Sequence, residues 1–230
     1  MAVILSIETS TPTSSIAIHE DGQLISSQHI HVDKSHAEYL TLSIKNLVET
    51  SGFSIKSISA VAVSKGPGSY TGLRIGTSTA KGICYALDVP LIGINSLEAM
   101  AYGMAKLQFE DTLLCPMIDA RRMEVYCLVT KKDLSIVEKT SAKIIDSESF
   151  SDLLISHKMI FFGSGAMKCF PILSHHKNAI FMADITPSAE HIGGLGWLEY
   201  QENHFESVAY FEPYYLKDFL AKKPSVNKLV

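Results

Sequence analysis

The sequence is poor in the residues and segments that mark several large classes of protein. Only three of its 20 basic residues are arginines, and the formal net charge is −4. The arginine side chain is the one best suited to bidentate hydrogen bonding with phosphate groups. Its scarcity therefore argues against a protein that binds nucleic acid by itself. No run reaches the roughly 18 apolar residues typical of a membrane span. The N-terminus lacks a basic leader, so Met1 to Glu8 predicts a buried strand rather than a signal peptide.

Recognisable catalytic and metal-binding motifs are also missing. There is no H-E-x-x-H, no G-x-S-x-G and no Walker A sequence, and no histidine pair has the spacing of a helical metal site. The four cysteines form no C-x-x-C pair, and each stands in an apolar stretch. They are Cys84, Cys115, Cys127 and Cys169. We therefore expect free, buried thiols in a reducing cytoplasm, with neither disulfides nor a metal site.

The chain contains enough apolar residues to form a large hydrophobic core. Hydrophobic residues make up 47% of its 230 residues, which allows one large domain or two modest lobes. The first half predicts a strand ending at Glu8, a returning hairpin, and helices that include one over 70–87. The second half repeats the pattern from a strand ending at Asp119. Two such units, each followed by helices, predict a duplicated α/β fold.

The segment from Gly66 to Gly76 is the most informative part of the sequence. Glycines between a strand and a helix can present backbone N–H groups to an anion, but the segment matches neither the Walker A nor the Rossmann pattern. Gly72, Gly76 and Ala80 fall four residues apart and so share one face of the helix. Interior helical glycine costs roughly 1 kcal/mol against alanine, so two of them indicate a compensating close contact. We predict a helix–helix contact there, with anion binding second.

Two polar turns end the predicted central strands. Glu8, Thr9 and Ser10 offer a carboxylate and hydroxyls that can hold phosphate or a hydrated Mg²⁺, although an ordinary hairpin explains them as well. Asp119 stands before Arg121 and Arg122, which predicts either a local ion pair or a patch that faces a partner.

Five segments in order along the chain resemble the TsaB (YeaZ) family. They are Ile4–Ser10, Gly66–Gly76, Asn95–Ala99, Asp119–Arg121 and Pro213–Lys217. The resemblance implies an actin-like ATPase (ASKHA) fold of two duplicated lobes, each a mixed sheet flanked by helices. We place the lobes at 1–104 and 105–230, with a flexible tail at about 221–230. Two positions depart from the family pattern, since Glu8 stands where Asp is common and Lys217 where Arg is usual.

The same resemblance implies a role in making threonylcarbamoyladenosine in tRNA. TsaB-type chains are similar to TsaD, the subunit that transfers the threonylcarbamoyl group, but act as its non-catalytic, cytoplasmic partner. TsaD-type proteins bind a metal through His-x-x-x-His, and the matching positions here are Ser96 and Met100. Neither residue suits that metal, so we expect no metal, no catalytic residue and no resident cofactor. ATP or ADP is expected, if at all, at the boundary with partners, with Glu8, Thr9, Ser10, Gly66 and Gly68 as weak candidates.

The family's partner surface is formed by the first two helices of the N-terminal lobe. Carried over to this sequence, it consists of Leu40, Ile44, Leu47, Gly72, Leu73, Gly76 and Ala80. The resemblance implies a homodimer in isolation, exchange for a TsaD-type subunit, and a TsaE-type ATPase that joins the pair. Contact with tRNA is expected only through the complex. Two alternatives stay open: an ATP-binding phosphotransferase of the actin-like fold, and an inactive relative of metallopeptidases.

Overall fold

The structure is a computed structural model that describes residues 1–30, 36–107 and 112–217. The predicted tail at 221–230 lies outside these residues, as does Ser35, the predicted cap of the first helix. Two five-stranded mixed sheets form the framework. The first sheet contains β1 (Val3–Glu8), β2 (Ser14–Glu20), β3 (Gln23–Ile30), β4 (Ile58–Gly66) and β5 (Leu91–Asn95). The second contains β6 (Thr112–Asp119), β7 (Glu124–Thr130), β8 (Ile136–Ile144), β9 (Lys158–Phe162) and β10 (Ala179–Met182).

The two sheets share one topology, which confirms the predicted duplication. The first has the order β3-β2-β1-β4-β5, and the second the order β10-β9-β6-β7-β8, which is the same arrangement in the opposite direction. In each sheet the first strand pairs antiparallel with its hairpin partner and parallel with the fourth strand. Central strands covered on both faces are apolar throughout, as β1 is from Val3 to Ile7 apart from the buried Ser6.

Among the described residues, six α-helices cover the faces of the sheets. They are α1 (His36–Thr50), α2 (Tyr70–Leu87), α3 (Ser96–Ala105), α4 (Ser151–Ser156), α5 (Ala166–Leu173) and α6 (Ala189–Gln201). Alternate residues of β1 point to opposite faces. Leu5 and Ile7 belong to the core under α1 and α2, whereas Ile4 belongs to a second core that includes Ile192 of α6. The first sheet is therefore a layer between α1 and α2 on one side and α6 on the other.

The remaining helices cover the second sheet, and α3 does so from the other half of the chain. Leu97 and Met100 of α3 lie in one core with Leu114 and Phe162. The opposite face of this sheet packs on α4 and α5, with Leu154 and Cys169 in that core. Thus α3 and α6 are exchanged: each follows one sheet in sequence and covers the other in space.

The exchange corrects the predicted boundary at 104/105. That boundary does separate the strands of the two sheets, but the chain beyond residue 188 returns to the first one. The backbone N–H of Ala189 donates to Ser15 Oγ at 2.9 Å. Further along, Glu206 N donates to Leu91 O at 2.8 Å, and Phe211 is 6% exposed within the first core. The second lobe consequently lacks residues 189–217, which the sequence had assigned to it.

Several local predictions are confirmed. The helix over 70–87 has the predicted bounds. Ser188 directly after Pro187 predicts a helix cap, and α6 does begin after it, with the Ser188 side chain accepting from Glu190 N. All four cysteines are free and buried. The short strand β10 was not predicted, although its four residues are all apolar, because a run of four is too short to distinguish a strand from a loop.

Candidate functional site

The turn that follows β1 is closed by the start of α2. The backbone N–H of Ser69 donates to Ser10 O at 2.6 Å, and Ser69 Oγ caps α2 by accepting from Gly72 N at 3.3 Å. A Cβ at Gly68 would overlap Ser10, a Cβ at Gly72 would overlap the Thr9 carbonyl, and a Cβ at Gly76 would overlap Thr9 Oγ1. Only glycine permits this approach. We call Gly68, Gly72 and Gly76 the glycine face.

The glycine face corrects the predicted helix–helix contact. The expected close neighbour exists, but it is the Glu8–Ser10 turn of the same chain rather than another helix. The predicted partner surface is wrong for the same reason. Leu40, Ile44, Leu47, Leu73 and Ala80 are between 0% and 6% exposed, and Gly72 and Gly76 are buried as well. Helical spacing identified a shared face, and that face is turned toward the chain's own core.

The burial of this turn also decides its fit to a nucleotide. Glu8 is 0% exposed, and Thr9 and Ser10 are each 1% exposed. Glu8 Oε1 accepts a hydrogen bond from Ser10 N at 2.5 Å. Burial raises the pKa of the Glu8 carboxyl, against smaller lowering effects of hydrogen bonds from Ser10, Ser64 and Thr9. A turn that is buried under the start of α2 has no open space for a phosphate or a hydrated Mg²⁺.

The other two nucleotide candidates are held in the same closed corner. Gly66 has φ +107°, and a Cβ there would lie 2.9 Å from the Tyr214 carbonyl oxygen. Tyr214 N in turn donates to Lys65 O at 2.6 Å. Gly66 and Gly68 therefore allow close contacts between segments of this chain, with Tyr214 and Ser10 occupying the space beside them.

The positions that match the metal pair of TsaD-type proteins are buried in the core. Ser96 is 0% exposed at the start of α3, where Asn95 caps the helix by accepting from Leu97 N at 2.9 Å. Met100 is 1% exposed and packs in the core beneath the second sheet. Within the residues that the structure describes, no three His, Cys, Asp or Glu side chains come together as metal ligands would.

The turn after β6 places its charges differently from the turn after β1. Asp119 Oδ1 accepts from Arg121 N at 2.8 Å, and the Asp119 carboxylate pairs with Lys168. Lys168 Nζ also donates to the carbonyls of Arg122 and Glu124, at 2.8 and 2.7 Å. The local ion pair that the sequence predicts between Asp119 and the neighbouring arginines does not form among the described residues, because Asp119 pairs with Lys168 of α5 instead. Arg121 and Arg122 remain exposed, with φ values of +70° and +50°.

The outer face of α1 and α2 carries exposed apolar groups. Tyr85 is 87% exposed, Leu42 is 55% and Tyr39 is 48%. Ser78 of α2 is exposed too, and a Cβ at Gly82 would meet nothing within 4 Å. We call Tyr39, Leu42, Ser78, Gly82 and Tyr85 the outer face. Its large apolar side chains are open to solvent and are available for contact with another molecule.

A cavity at the junction of the two lobes was missed by sequence reasoning. Its volume is about 690 Å³, and its walls come from β4, the start of α3, β8 and the segment after α6. Asn95 Nδ2 donates to Thr140 Oγ1 at 3.1 Å across the junction. Burial raises the pKa of Glu98 in this wall. Segments so far apart in sequence leave no local pattern, so no motif could have indicated the cavity.

The fold places the chain among actin-like proteins. YeaZ from Pseudomonas aeruginosa has a TM-score of 0.78 at 22% identity, covering 94% of this chain and 100% of that one. The ADPNP-bound activator of the 2-hydroxyisocaproyl-CoA dehydratase from Clostridium difficile has a TM-score of 0.51 at 11% identity, covering 88% and 97%. The predicted actin-like fold of two duplicated lobes is thereby confirmed.

The sequence comparisons identify the family. A family model described as TsaD, tRNA N6-adenosine threonylcarbamoyltransferase, matches residues 25–223. The tRNA threonylcarbamoyladenosine biosynthesis protein TsaB of Escherichia coli K12 is 28% identical over 98% of this chain and 99% of its own length. The chain therefore belongs to the family that the TsaD model defines and, within it, to the TsaB (YeaZ) proteins of tRNA threonylcarbamoyladenosine biosynthesis. Among the described helices, none is long and apolar enough to cross a membrane.

The glycine face yields a prediction with a matched control on the same helix. Gly76→Ala places a methyl group against Thr9 Oγ1, so we expect the free energy of unfolding to fall by about 1–3 kcal/mol. Gly82→Ala meets open space and should raise that free energy by about 0.5–1 kcal/mol. Urea unfolding of both variants measures the two values. Equal changes in the free energy of unfolding for the two variants would show that Thr9 is not in close contact with α2 at Gly76.

Glu8 yields a prediction on pH. Its raised pKa lets the folded chain keep a proton that the unfolded chain releases above about 4.5. The free energy of unfolding should therefore fall as pH rises from 4.5 toward the raised pKa, by up to about 1.4 kcal/mol per unit. Glu8→Gln should remove this slope, and the exposed Glu202→Gln should leave it in place. Unfolding curves across this range provide the measurement, and parallel curves for wild type and Glu8→Gln would mean that Glu8 ionises inside the fold.

Proposed function

We propose that this chain is a non-catalytic subunit of the tRNA threonylcarbamoyladenosine machinery, which supports a TsaD-type transferase by protein contact in the cytoplasm. The observation that carries the proposal is the packing at Ser96 and Met100. A hydroxyl and a thioether stand where TsaD-type proteins have their metal-binding histidines, and both are sealed in the core. The buried turn at Glu8 to Ser10 also supports the proposal, since its residues leave no open site for a phosphate.

The outer face is the surface that we assign to the partner. It lies on the two helices that the family uses for pairing, but it consists of their exposed residues rather than the buried ones. Tyr85 and Leu42 offer apolar anchors, and the bare backbone at Gly82 lets a second helix approach closely. The same surface serves a homodimer in isolation and exchanges it for the TsaD-type subunit, after which a TsaE-type ATPase joins the pair.

Variants on the outer face test the pairing. Tyr85→Ala removes an anchor and Gly82→Leu obstructs the close approach, so each should weaken binding to a TsaD-type subunit about tenfold or more. Folding should be unaffected because both sites face water. Ile155→Ala is the matched control, since Ile155 is 80% exposed on α4, away from α1 and α2. Binding is measured by calorimetry and the homodimer by sedimentation. Unchanged affinity in both outer-face variants would remove this surface from the proposal.

The absence of catalysis is tested on the isolated chain. We expect no transferase, kinase or peptidase turnover with ATP and divalent metal present, because no described group is placed to hold the metal or the phosphate. The assays follow ADP release, peptide cleavage and threonylcarbamoyl transfer to tRNA. Metal-dependent turnover that stays with the protein through repurification would contradict the proposal.

A further inference from the structure

All three arginines of this chain are exposed, and none has a carboxylate partner in the part of the chain that the structure describes. Arg74 is held among aromatic rings instead. Its guanidinium carbon lies 4.2 Å from the centre of the Tyr70 ring, and its Nε donates to the Tyr215 hydroxyl at 3.3 Å. The centres of the two tyrosine rings are 5.0 Å apart. The result is a guanidinium and two rings fixed together at the surface.

A chain of contacts joins this group to the other two arginines across the lobe junction. Lys217, two residues beyond Tyr215, pairs with Glu124 at the start of β7. Glu124 N donates to Arg121 O at 3.2 Å, which closes the turn that carries Arg121 and Arg122. Lys217 and Arg121 both lie near enough to Tyr126 to act on its pKa. We call Tyr70, Arg74, Arg121, Arg122, Tyr215 and Lys217 the arginine–tyrosine patch.

The two acids beside Arg121 and Arg122 are already paired. Asp119 pairs with Lys168, and Glu124 pairs with Lys217, so neither carboxylate is left for a guanidinium. Glu212 lies near enough to act on Arg74 through its charge, but it forms no ion pair with Arg74 among the described residues. Three exposed arginines therefore face outward from a chain whose formal net charge is −4. Arginine costs little to desolvate compared with lysine, and its planar fork matches the oxygens of a phosphate.

We propose that the arginine–tyrosine patch binds RNA directly, at a segment with unstacked bases such as a loop. Guanidinium groups contact phosphates, while tyrosine and arginine planes offer stacking surfaces for bases. An acidic peptide would satisfy the charges but would make no use of the exposed Tyr215 ring as a stacking surface. The inference rests on the proposed function, which places the chain beside tRNA. It departs from the expectation that tRNA is met only through the complex, because contacts through Tyr215 and Lys217 link the exposed Arg74 to the turn of Arg121 and Arg122.

The test measures binding of the full chain to a fluorescein-labelled RNA stem-loop of anticodon-arm size, by anisotropy over a series of salt concentrations. The variant Arg74→Gln, Arg121→Gln, Arg122→Gln should raise the Kd about tenfold or more and flatten the plot of log affinity against log salt by about 2. Lys177→Gln is the control, since it removes one exposed charge beyond the far end of α5 and should change neither value. Thermal unfolding of each variant verifies that the fold is kept.

The outcomes separate this inference from the proposed function. Binding that the arginine variant loses and the control keeps supports the patch. No binding by wild type at low salt, or equal binding by all variants, overturns it, as does displacement of the RNA by poly-glutamate at equal charge. Pairing with a TsaD-type subunit is measured in parallel. If pairing persists while RNA binding fails, only the patch is refuted, and if the arginine variant loses pairing instead, the patch is a protein contact and the inference is wrong.

Discussion

The approach of the Glu8–Ser10 turn to the first turns of α2 is the constraint on which the N-terminal half depends. Because Gly68, Gly72 and Gly76 have no side chains, the helix settles onto the turn itself, with Ser69 N bonded to Ser10 O. The turn becomes part of the core, and burial raises the pKa of the Glu8 carboxyl that it carries there. The Glu8–Ser10 turn and the glycine face are therefore committed to internal packing.

Local structure was largely predictable because its signals are local. The helix α2 has the bounds that its sequence indicates, Ser188 caps α6, and the repeated strand and hairpin pattern predicted the common topology of the sheets. What the patterns could not supply is the identity of a neighbour. A spacing of four places Gly72 and Gly76 on one face, but it cannot distinguish a helix of another molecule from a turn of the same chain. The place of α6 was missed similarly, since its contact with Ser15 joins distant parts of the sequence.

For the candidate site too, the sequence shows which residue types are present, and the structure shows what surrounds them. The loss of a histidine pair at Ser96 and Met100 is visible in the sequence, and the structure adds that both positions are sealed in the core. Counting arginines suggested a poor partner for nucleic acid. The positions of the three arginines could not be related from the sequence. They are linked by the segment after α6, in which Tyr215 contacts Arg74 and Lys217 pairs with Glu124. Function on this fold therefore depends on which side chains reach the surface and where, and residue composition does not give their positions.

The exchange of α3 and α6 has a consequence for biosynthesis. Translation delivers β1 to β5 before α6, the helix that covers one side of this sheet. Until α6 arrives, the apolar side chains of Ile4, Ala62 and Ile94 lack their contact with Ile192. The nascent first half therefore exposes apolar surface, a condition that favours aggregation and chaperone binding. Each lobe consequently depends on a helix from the other half of the chain to close its core.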